Sequence, residues 1–385
     1  MKYRTPRRVR TGMRIDRRLI KNFDWITFSL VFLLSLMGIM TIYSATRSPL
    51  PGGEMPSHYI KQLYWLLLST AAMVAIVSVD YIWLKRYAYV LYGAGIVLLL
   101  LVLFHGRTGM GAQRWLNIGI FSFQPSEAFK LVYVVAIARY LSEKQDKVGL
   151  FSLLKTFFLL AFVPVVLVMK QPDLGTAVIL LLVLLSITLI KGIEKKVAAL
   201  ILLIALISVP FIGNIMWEGL KDYQKNRLVA FLEPEVDPGG IGYHINQSKV
   251  AIGSGQFFGK GYLNGTQGPF RFLPEKQTDF IFAVFAEETG FVGSLILLLL
   301  YLSLILRGLD TARKAKDEFA SLLASGISFM FTIYFSINVG MTLGIMPVVG
   351  VPLPFMSYGG TSLLANFVAA GIIISVRTRR FELFY

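Results

Sequence analysis

A carboxylate suited to general-base chemistry lies where a long polar segment meets an apolar run. Asp279 follows Thr278 and directly precedes Phe280, which places its side chain near the first turn of a helix. Partial loss of water raises the pKa of a carboxylate toward the range useful to a base at neutral pH. Thr278 or Asp279 could equally serve as the N-cap of that helix. The residue types alone leave both roles open.

A second group combines cations with a carboxylate at the start of another apolar run. Pro125 suits the first turn of a helix, and Gln124 or Ser126 could satisfy unpaired amides there. Glu127 and Lys130 lie three positions apart, so they share a helix face and can neutralise each other. They could form a structural ion pair, or the cations could point into a cavity. The group consists of Arg114, Trp115, Gln124, Ser126, Glu127 and Lys130.

Polar residues also interrupt the apolar sequence in three other places. Asp173, in segment 171–176, could cap the helix that follows it. Segment 352–361 contains Ser357 among prolines and glycines, and it could be a re-entrant segment that lines a site, although helix packing through small residues explains the glycines nearly as well. Glu287 and Glu288 need partners, because two adjacent carboxylates cannot both face lipid.

The composition excludes an ordinary water-soluble protein. Of 385 residues, 55% are hydrophobic and only 16% are charged, which is too little charge to cover a surface in water. The net charge of +16 does not indicate nucleic-acid binding, because the Lys and Arg residues flank the apolar runs instead of forming one patch. The absence of cysteine excludes disulfides, thiolate metal sites and a cysteine nucleophile, and the three histidines are too scattered for a histidine metal cluster.

Span-length apolar runs predict an all-α integral membrane protein with about ten transmembrane helices. We expect a basic cytoplasmic arm at 1–24, seven spans within 25–215, a large extracytoplasmic loop at 216–278, three spans within 279–377 and a cytoplasmic tail at 378–385. Lys and Arg cluster in alternate connections, and the positive-inside rule therefore places both termini in the cytoplasm. The arm precedes a full-length span, which favours a retained anchor over a cleaved leader.

Several short motifs in the same order resemble the SEDS family (shape, elongation, division and sporulation), and within it the RodA-type branch. The resemblance extends from the first span through Arg377. The sequence differs mildly at Met356 and Thr361 and shows no departure at a charged motif position. The motifs are Arg114-Trp115, 124–127 with Lys130, 171–176, 249–261, 274–280 and 354–360.

The resemblance implies a fold of ten transmembrane helices and a peptidoglycan glycosyltransferase of the bacterial cytoplasmic membrane. Such an enzyme polymerises lipid II at the outer face of the membrane, during cell elongation and maintenance of rod shape for the RodA-type branch. Its substrates are lipid II and an undecaprenyl-linked glycan strand. It also implies a partner, a class B penicillin-binding protein that crosslinks the new strands within the elongation machinery, together with contacts to membrane lipids.

The resemblance also implies roles for individual residues. Asp279 is expected to be the general base, either directly or through a bound divalent cation of unknown identity. Lys130 and Arg114 are expected to stabilise the pyrophosphate, with Glu127 orienting Lys130 and Trp115 packing on lipid or sugar. The supporting cavity residues are expected to be Gln124, Ser126, Asp173, Thr278 and Ser357.

Two functions from other classes remain as alternatives. A lipid II flippase would use the same cavity and cations but would need alternating access, for which inverted repeats are typical; none is detected in the sequence. A scaffold would bind the penicillin-binding partner without chemistry. For the scaffold Asp279 would be dispensable, and retained activity in an Asp279→Asn variant would favour these alternatives over an enzyme.

Overall fold

The computed structural model of the chain is dominated by long helices. It describes residues 22–47, 57–109, 112–118, 121–201, 240–268 and 275–380, together with 203, 225, 227, 229–231, 233 and 273. The predicted arm at 1–24 therefore lies outside the described residues up to residue 21. The same holds for most of the predicted seventh span at 196–215, much of the loop at 216–278, and residues 381–385 of the tail.

The helices are numbered here in chain order. Residues 195–201 form the start of one further, unnumbered helix, and α5 contains a π-helical turn at Phe157–Ala161. The numbered helices are α1 (Trp25–Thr46), α2 (His58–Ser78), α3 (Tyr81–His105), α4 (Pro125–Ser142), α5 (Leu150–Lys170), α6 (Leu174–Lys191), α7 (Ile241–Ser254), α8 (Ile281–Arg313), α9 (Glu318–Thr342) and α10 (Gly360–Thr378).

Within the described ranges, eight helices are long and apolar enough to cross a membrane: α1, α2, α3, α5, α6, α8, α9 and α10. The predicted all-α membrane architecture is confirmed. Helix α4 coincides with the predicted fourth span, but Glu127, Lys130 and Arg139 make it more polar than the others. The count of ten spans and the position of the large loop remain predictions.

Aspartates fix where several of these helices begin. The Asp173 carboxylate accepts hydrogen bonds from the amide (3.2 Å) and hydroxyl (2.9 Å) of Thr176 at the start of α6. Asp24 receives the Thr27 hydroxyl at 2.6 Å in α1, and Asp317 receives the Ala320 amide at 2.9 Å in α9. Asp173 and Asp317 each satisfy an amide that a first helical turn leaves without a partner, and Asp24 does the same for the Thr27 amide, at 3.5 Å.

Two contacts between α1 and α8 mark levels separated by the thickness of a bilayer. Arg307 pairs with Asp24 at 2.7 Å at one end, and Ser44 donates a hydrogen bond to Glu288 at the other. Asp24 and Ser44 are about 20 residues apart along α1, and Glu288 and Arg307 are about as far apart along α8. Twenty residues of helix span roughly 30 Å, which is the thickness of the hydrocarbon core. The Asp24–Arg307 ion pair and the buried Glu288 therefore lie at the two edges of the apolar layer.

Helix α8 is interrupted at Gly290, near its N-terminal end, and backbone groups of a neighbouring loop replace the lost hydrogen bonds. Gly290 has φ 66° and ψ −162°, a conformation that breaks the helical hydrogen bonds around it. Residues 256–261 replace them by backbone hydrogen bonds of 2.8–3.0 Å, in which Lys260 donates to Glu287, Gly261 to Glu288, Phe291 to Gln256 and Val292 to Phe257. Backbone groups at this depth need such protein partners because lipid offers none.

The side chains of Glu287 and Glu288 bind the same loop. The prediction that these two carboxylates need partners is therefore confirmed. Glu287 accepts hydrogen bonds from the Lys260 ammonium at 2.6 Å and from the Thr266 amide and hydroxyl, each at 2.8 Å. Glu288 accepts the amide of Leu263 at 3.2 Å as well as the Ser44 hydroxyl. Both carboxylates are buried and satisfied by protein.

A small antiparallel sheet precedes α4, and the sequence analysis did not predict it. Strands β1 (Arg107–Gly109), β2 (Ala112–Ile118) and β3 (Phe121–Phe123) pair in the order β1-β2-β3. Arg107 lies opposite Trp115, and Leu116 lies opposite Phe123. Strands β1 and β3 have only three residues each, and the seven residues of β2 do not alternate regularly between apolar and polar side chains, so the sequence gives no clear period-two signal. The sheet holds Arg114 and Trp115 at one end of the helix bundle.

Candidate active site

A cavity of about 640 Å³ lies between the start of α8, the start of α4, strand β2 and the segment before α10. Eight of the ten residues that the sequence analysis assigned to a site line it. They come from positions far apart in the chain, so the tertiary fold is what brings them together. These eight are Arg114, Trp115, Gln124, Glu127, Lys130, Asp173, Thr278 and Asp279.

Asp279 lies on the cavity wall in the turn that leads into α8, and it is half-buried. The pKa of the carboxylate is raised to about 6, mainly by burial and next by the negative charge of Glu275, with Arg227 and Arg114 opposing the rise in part. A carboxylate with this pKa is largely ionised at neutral pH yet more basic than an ordinary aspartate, as general-base catalysis requires. It does not cap α8 with its side chain; the N-cap position is Phe280.

Lys130 and Glu127 form a buried ion pair on the first turns of α4. The Lys130 ammonium lies 2.6 Å from a Glu127 carboxylate oxygen, and the side chains are only 3% and 7% exposed. The same ammonium lies 4.5 Å from the centre of the Tyr334 ring, which belongs to α9. An ammonium over an aromatic face gains a cation–π attraction that strengthens as water is excluded. Glu127 and Tyr334 therefore fix the direction of the Lys130 side chain at the cavity wall.

Arg114 projects from β2 toward the turn before α6. Its guanidinium donates hydrogen bonds to the carbonyl oxygens of Gln171 (3.4 Å) and Pro172, and it lies 3.8 Å from a carboxylate oxygen of Asp173. Asp173 both caps α6 and lines the cavity. The capping role predicted for Asp173 is present, and the same carboxylate orients Arg114.

The remaining predicted residues support this wall or the turn beside it. The side-chain amide of Gln124 donates to the Ser126 hydroxyl at 3.2 Å, and Ser126 is buried behind the cavity. Ser357 is also outside the lining set, but its hydroxyl donates to the Thr278 carbonyl at 2.6 Å. Trp115 and Thr278 line the cavity directly. Segment 352–361 therefore packs against the turn that carries Asp279.

The sequence analysis missed Arg227 and Glu275 as site residues. Both line the cavity and both act on the Asp279 carboxylate. Gly350, with φ +73°, faces the same place: a Cβ atom there would lie 3.5 Å from Asp279 and 3.9 Å from the Arg227 guanidinium. Glu275 stood in a motif already noted. Arg227 is one of seven Lys and Arg residues in the predicted loop at 216–278, and the positive-inside rule says little about a loop of that length, so the sequence did not single it out.

Three cationic side chains and four carboxylates thus border one cavity: Arg114, Lys130 and Arg227 with Glu127, Asp173, Glu275 and Asp279. Two of the carboxylates already neutralise cations, since Glu127 pairs with Lys130 and Asp173 lies beside Arg114. Among the described residues, no group of three or more His, Cys, Asp or Glu side chains is arranged to hold a metal ion. The divalent cation implied by the resemblance therefore finds no ligand cluster among these described residues.

The chain matches known proteins over almost its whole length. Residues 24–382 match the model of the FtsW/RodA/SpoVE family, described as cell cycle protein. The chain is 39% identical over 359 residues to peptidoglycan glycosyltransferase MrdB of Escherichia coli, which covers 93% of this chain and 95% of that protein. It is 32% identical over 434 aligned positions to peptidoglycan glycosyltransferase RodA of Treponema pallidum, which covers 94% and 99%.

Solved structures agree with the sequence relationship. One belongs to a peptidoglycan synthase complex described in terms of the structural coordination of polymerization and crosslinking; the TM-score is 0.79 at 30% identity, and the match covers 94% of this chain and 99% of that one. The crystal structure of the rod shape determining protein RodA from Thermus thermophilus gives a TM-score of 0.68 at 27% identity, covering 94% and 98%. This chain belongs to the FtsW/RodA/SpoVE family, the SEDS family that its motifs resemble.

Proposed function

We propose that this protein is a peptidoglycan glycosyltransferase that polymerises lipid II into glycan strands at the outer face of the cytoplasmic membrane, during cell elongation. The observation that carries the proposal is a carboxylate of raised pKa, Asp279, in the same cavity as the cations Lys130 and Arg114. Relatives with 39% and 32% identity are peptidoglycan glycosyltransferases by name. The group that removes a proton and the groups that stabilise a departing anion are both present.

The reaction needs both kinds of group. A sugar hydroxyl of the acceptor attacks the anomeric carbon of the donor, a new glycosidic C–O bond forms, and the bond from that carbon to the pyrophosphate breaks. Asp279 takes the proton of the hydroxyl as the bond forms. The bonding electron pair leaves with the undecaprenyl pyrophosphate, whose growing negative charge Lys130 and Arg114 stabilise. The activated lipid supplies its own leaving group, so no nucleotide is consumed.

The Glu127 carboxylate orients the Lys130 ammonium, and the Asp173 carboxylate orients the Arg114 guanidinium. A pyrophosphate that approaches the cavity competes with these carboxylates for the cations, which are already oriented and partly desolvated. Preorganised charges of this kind lose little free energy to reorganisation during the reaction. Trp115 offers an aromatic surface for lipid or sugar. Arg227 and Glu275 adjust the basicity of Asp279 from opposite directions.

The position of the charges supports an extracytoplasmic active site. Helix α8 begins beside the cavity and carries Arg307 and Arg313 in its last two turns, and α10 carries Arg377 in its last turn. Basic residues favour the cytoplasmic side of a membrane, so the cavity at the opposite ends of these helices would face outward and both termini would be cytoplasmic. We retain the segments 1–24, 25–215, 216–278, 279–377 and 378–385 as the proposed organisation.

We also propose a class B penicillin-binding protein as the partner that crosslinks the new strands, together with the rest of the elongation machinery. The support is the similarity to a synthase complex in which polymerization and crosslinking are coordinated. The function is tested by incubating the purified protein and such a partner with lipid II and resolving the products on a gel. Glycan ladders support polymerisation. Transfer of lipid II across liposomes without ladders would favour a flippase.

A further inference from the structure

The turn that carries Asp279 is held at three consecutive carbonyl groups by residues from elsewhere in the fold. The turn spans residues 275–280, between the long polar segment and α8. The carbonyl oxygen of Gln277 accepts from the Tyr358 amide at 2.8 Å, that of Thr278 from the Ser357 hydroxyl at 2.6 Å, and that of Asp279 from the Asn338 side-chain amide at 3.0 Å. The turn is therefore constrained from two sides.

Asn338 stands apart from the other two donors because it lies on a membrane-spanning helix. It belongs to α9 and is completely buried. The same side-chain nitrogen donates to Asp279 at 3.0 Å and to the Val351 carbonyl at 2.8 Å. It thereby joins the turn to the segment containing Gly350, which faces the Asp279 carboxylate.

Asn338 also lies one helical turn after Tyr334, the residue that packs against Lys130. Residues four positions apart share a face of a helix. One face of α9 thus holds the backbone of Asp279 through Asn338 and the ammonium of Lys130 through Tyr334, 4.5 Å from the ring centre. Because α9 is rigid and largely enclosed, with 61% of its spanning residues buried, it acts as a spacer between the two groups.

We propose that Asn338 is a positioning residue that fixes the separation of the Asp279 carboxylate from the Lys130 ammonium. This inference rests on the proposed function, in which those two groups serve opposite ends of the same displacement. Loss of the amide releases the Asp279 carbonyl and lets the turn move relative to α9. A displacement of about 1 Å in a catalytic group can lower turnover about 100-fold. Substrate binding, which depends on the cations Lys130 and Arg114, is retained.

The test compares Asn338→Leu, which removes both hydrogen bonds at similar volume, with the wild type. Ser328→Ala is the matched control, because Ser328 is equally buried on α9 and its hydroxyl bonds only the Ala324 carbonyl, at 2.7 Å. Polymerisation rates are measured against lipid II concentration and against pH, with thermal unfolding in detergent as the check on folding. We expect kcat to fall about 10- to 100-fold, with KM within about twofold of the wild type.

The pH midpoint of kcat provides a readout that a purely structural role would not move. The charged groups that act on the Asp279 carboxylate are Glu275, Arg227, Arg114 and Asp173. Glu127 and Lys130 line the same cavity. A released turn lets water reach the carboxylate, so the midpoint in Asn338→Leu should move toward lower pH. Ser328→Ala should leave both kcat and the midpoint unchanged.

A folded Asn338→Leu protein with wild-type kcat and pH midpoint would overturn the proposal. If that variant does not fold, Asn338→Ser is measured in the same way, and unchanged values overturn the proposal equally. Asp279→Asn separates this inference from the function on which it rests. An active Asp279→Asn protein contradicts the proposed chemistry, whereas an inactive one beside a fully active Asn338→Leu contradicts only the positioning role.

Discussion

The Lys130 ammonium lies 2.6 Å from the Glu127 carboxylate, one helical turn away, with both side chains almost completely enclosed. Two opposite charges removed from water in this way stabilise each other, but the pair as a whole contributes little net stability. Both residues line the cavity, so the pair could serve substrate binding as well as structure. A structural ion pair and a substrate-binding cation make different predictions for single and double variants.

The first prediction separates the two roles of this ion pair. Lys130→Met leaves Glu127 buried without its counterion and should lower the free energy of unfolding by about 3–5 kcal/mol. Combining it with Glu127→Gln removes the orphan charge and should restore most of that stability. Polymerisation by the double variant should remain at least about 100-fold below the wild type, because the cation proposed to stabilise the leaving group is absent. Thermal unfolding and gel-resolved ladders measure the two properties. If the double variant recovered activity as well as stability, the ion pair would have a structural role only.

The second prediction concerns pH. With a pKa of about 6 for Asp279, the unprotonated base becomes available as pH rises, so kcat/KM should increase through about pH 6 and level off near neutrality. The contribution of Asp279 to folding stability changes with pH in the opposite direction to its contribution to activity. A carboxyl pKa raised in the folded state favours folding below its unfolded value and loses that contribution as pH rises through about 6. A loss of activity in acid is therefore not a loss of folding caused by Asp279. A flat profile between about pH 5 and pH 8 contradicts the assignment.

The third prediction uses two neighbours that shift the same pKa in opposite directions. Glu275 raises the pKa of Asp279 and Arg227 lowers it. Glu275→Gln should therefore move the pH midpoint toward acid, and Arg227→Met should move it toward base. Both are read from kcat/KM profiles of the purified variants. Shifts in the same direction, or none in either, would show that these residues do not act on the base electrostatically.

The fourth prediction concerns the loop that bridges the break in α8. Glu287→Ala leaves the Lys260 ammonium and the Thr266 amide without their buried acceptor, which should cost about 1–3 kcal/mol of stability. Hydrogen exchange should increase at residues 260–267. Glu143→Ala is the control, since Glu143 makes an exposed pair with Arg139 at 3.1 Å and should change stability by less than about 1 kcal/mol. Equal effects of the two substitutions would contradict the anchoring role of Glu287.

The parts of the fold that follow from local rules were predictable from the sequence. Span-length apolar runs indicate the helices, and Asp173 caps α6 in the position its motif suggests. The charged motif residues could be identified because charge at the edge of a membrane span is costly and needs a reason. Their convergence on one cavity is a tertiary property, which the resemblance to a known family supplied more readily than the residues themselves.

Other features depend on partners that are distant in the chain. The interruption of α8 at Gly290 could not be predicted from the helix sequence, because it depends on the loop whose backbone replaces the lost helical hydrogen bonds. In the sequence Asn338 is an ordinary polar residue of a spanning helix. Only the fold shows that its side-chain amide donates to the carbonyl groups of Asp279 and Val351. The strands at 107–123 are defined by pairing across short segments with no strong periodicity. Patterns along one segment carry no information about such contacts.

The most direct test of the central claim is polymerisation of purified lipid II by the wild type and by Asp279→Asn, each with a class B penicillin-binding partner, followed by gel analysis. Asp146→Asn is the matched control, because it makes the same chemical change at an exposed aspartate away from the cavity. The account predicts ladders from the wild type and Asp146→Asn, and none from a folded Asp279→Asn protein. Ladders of equal yield from Asp279→Asn would contradict it, as would the absence of ladders from the wild type alongside transfer of lipid II across liposomes.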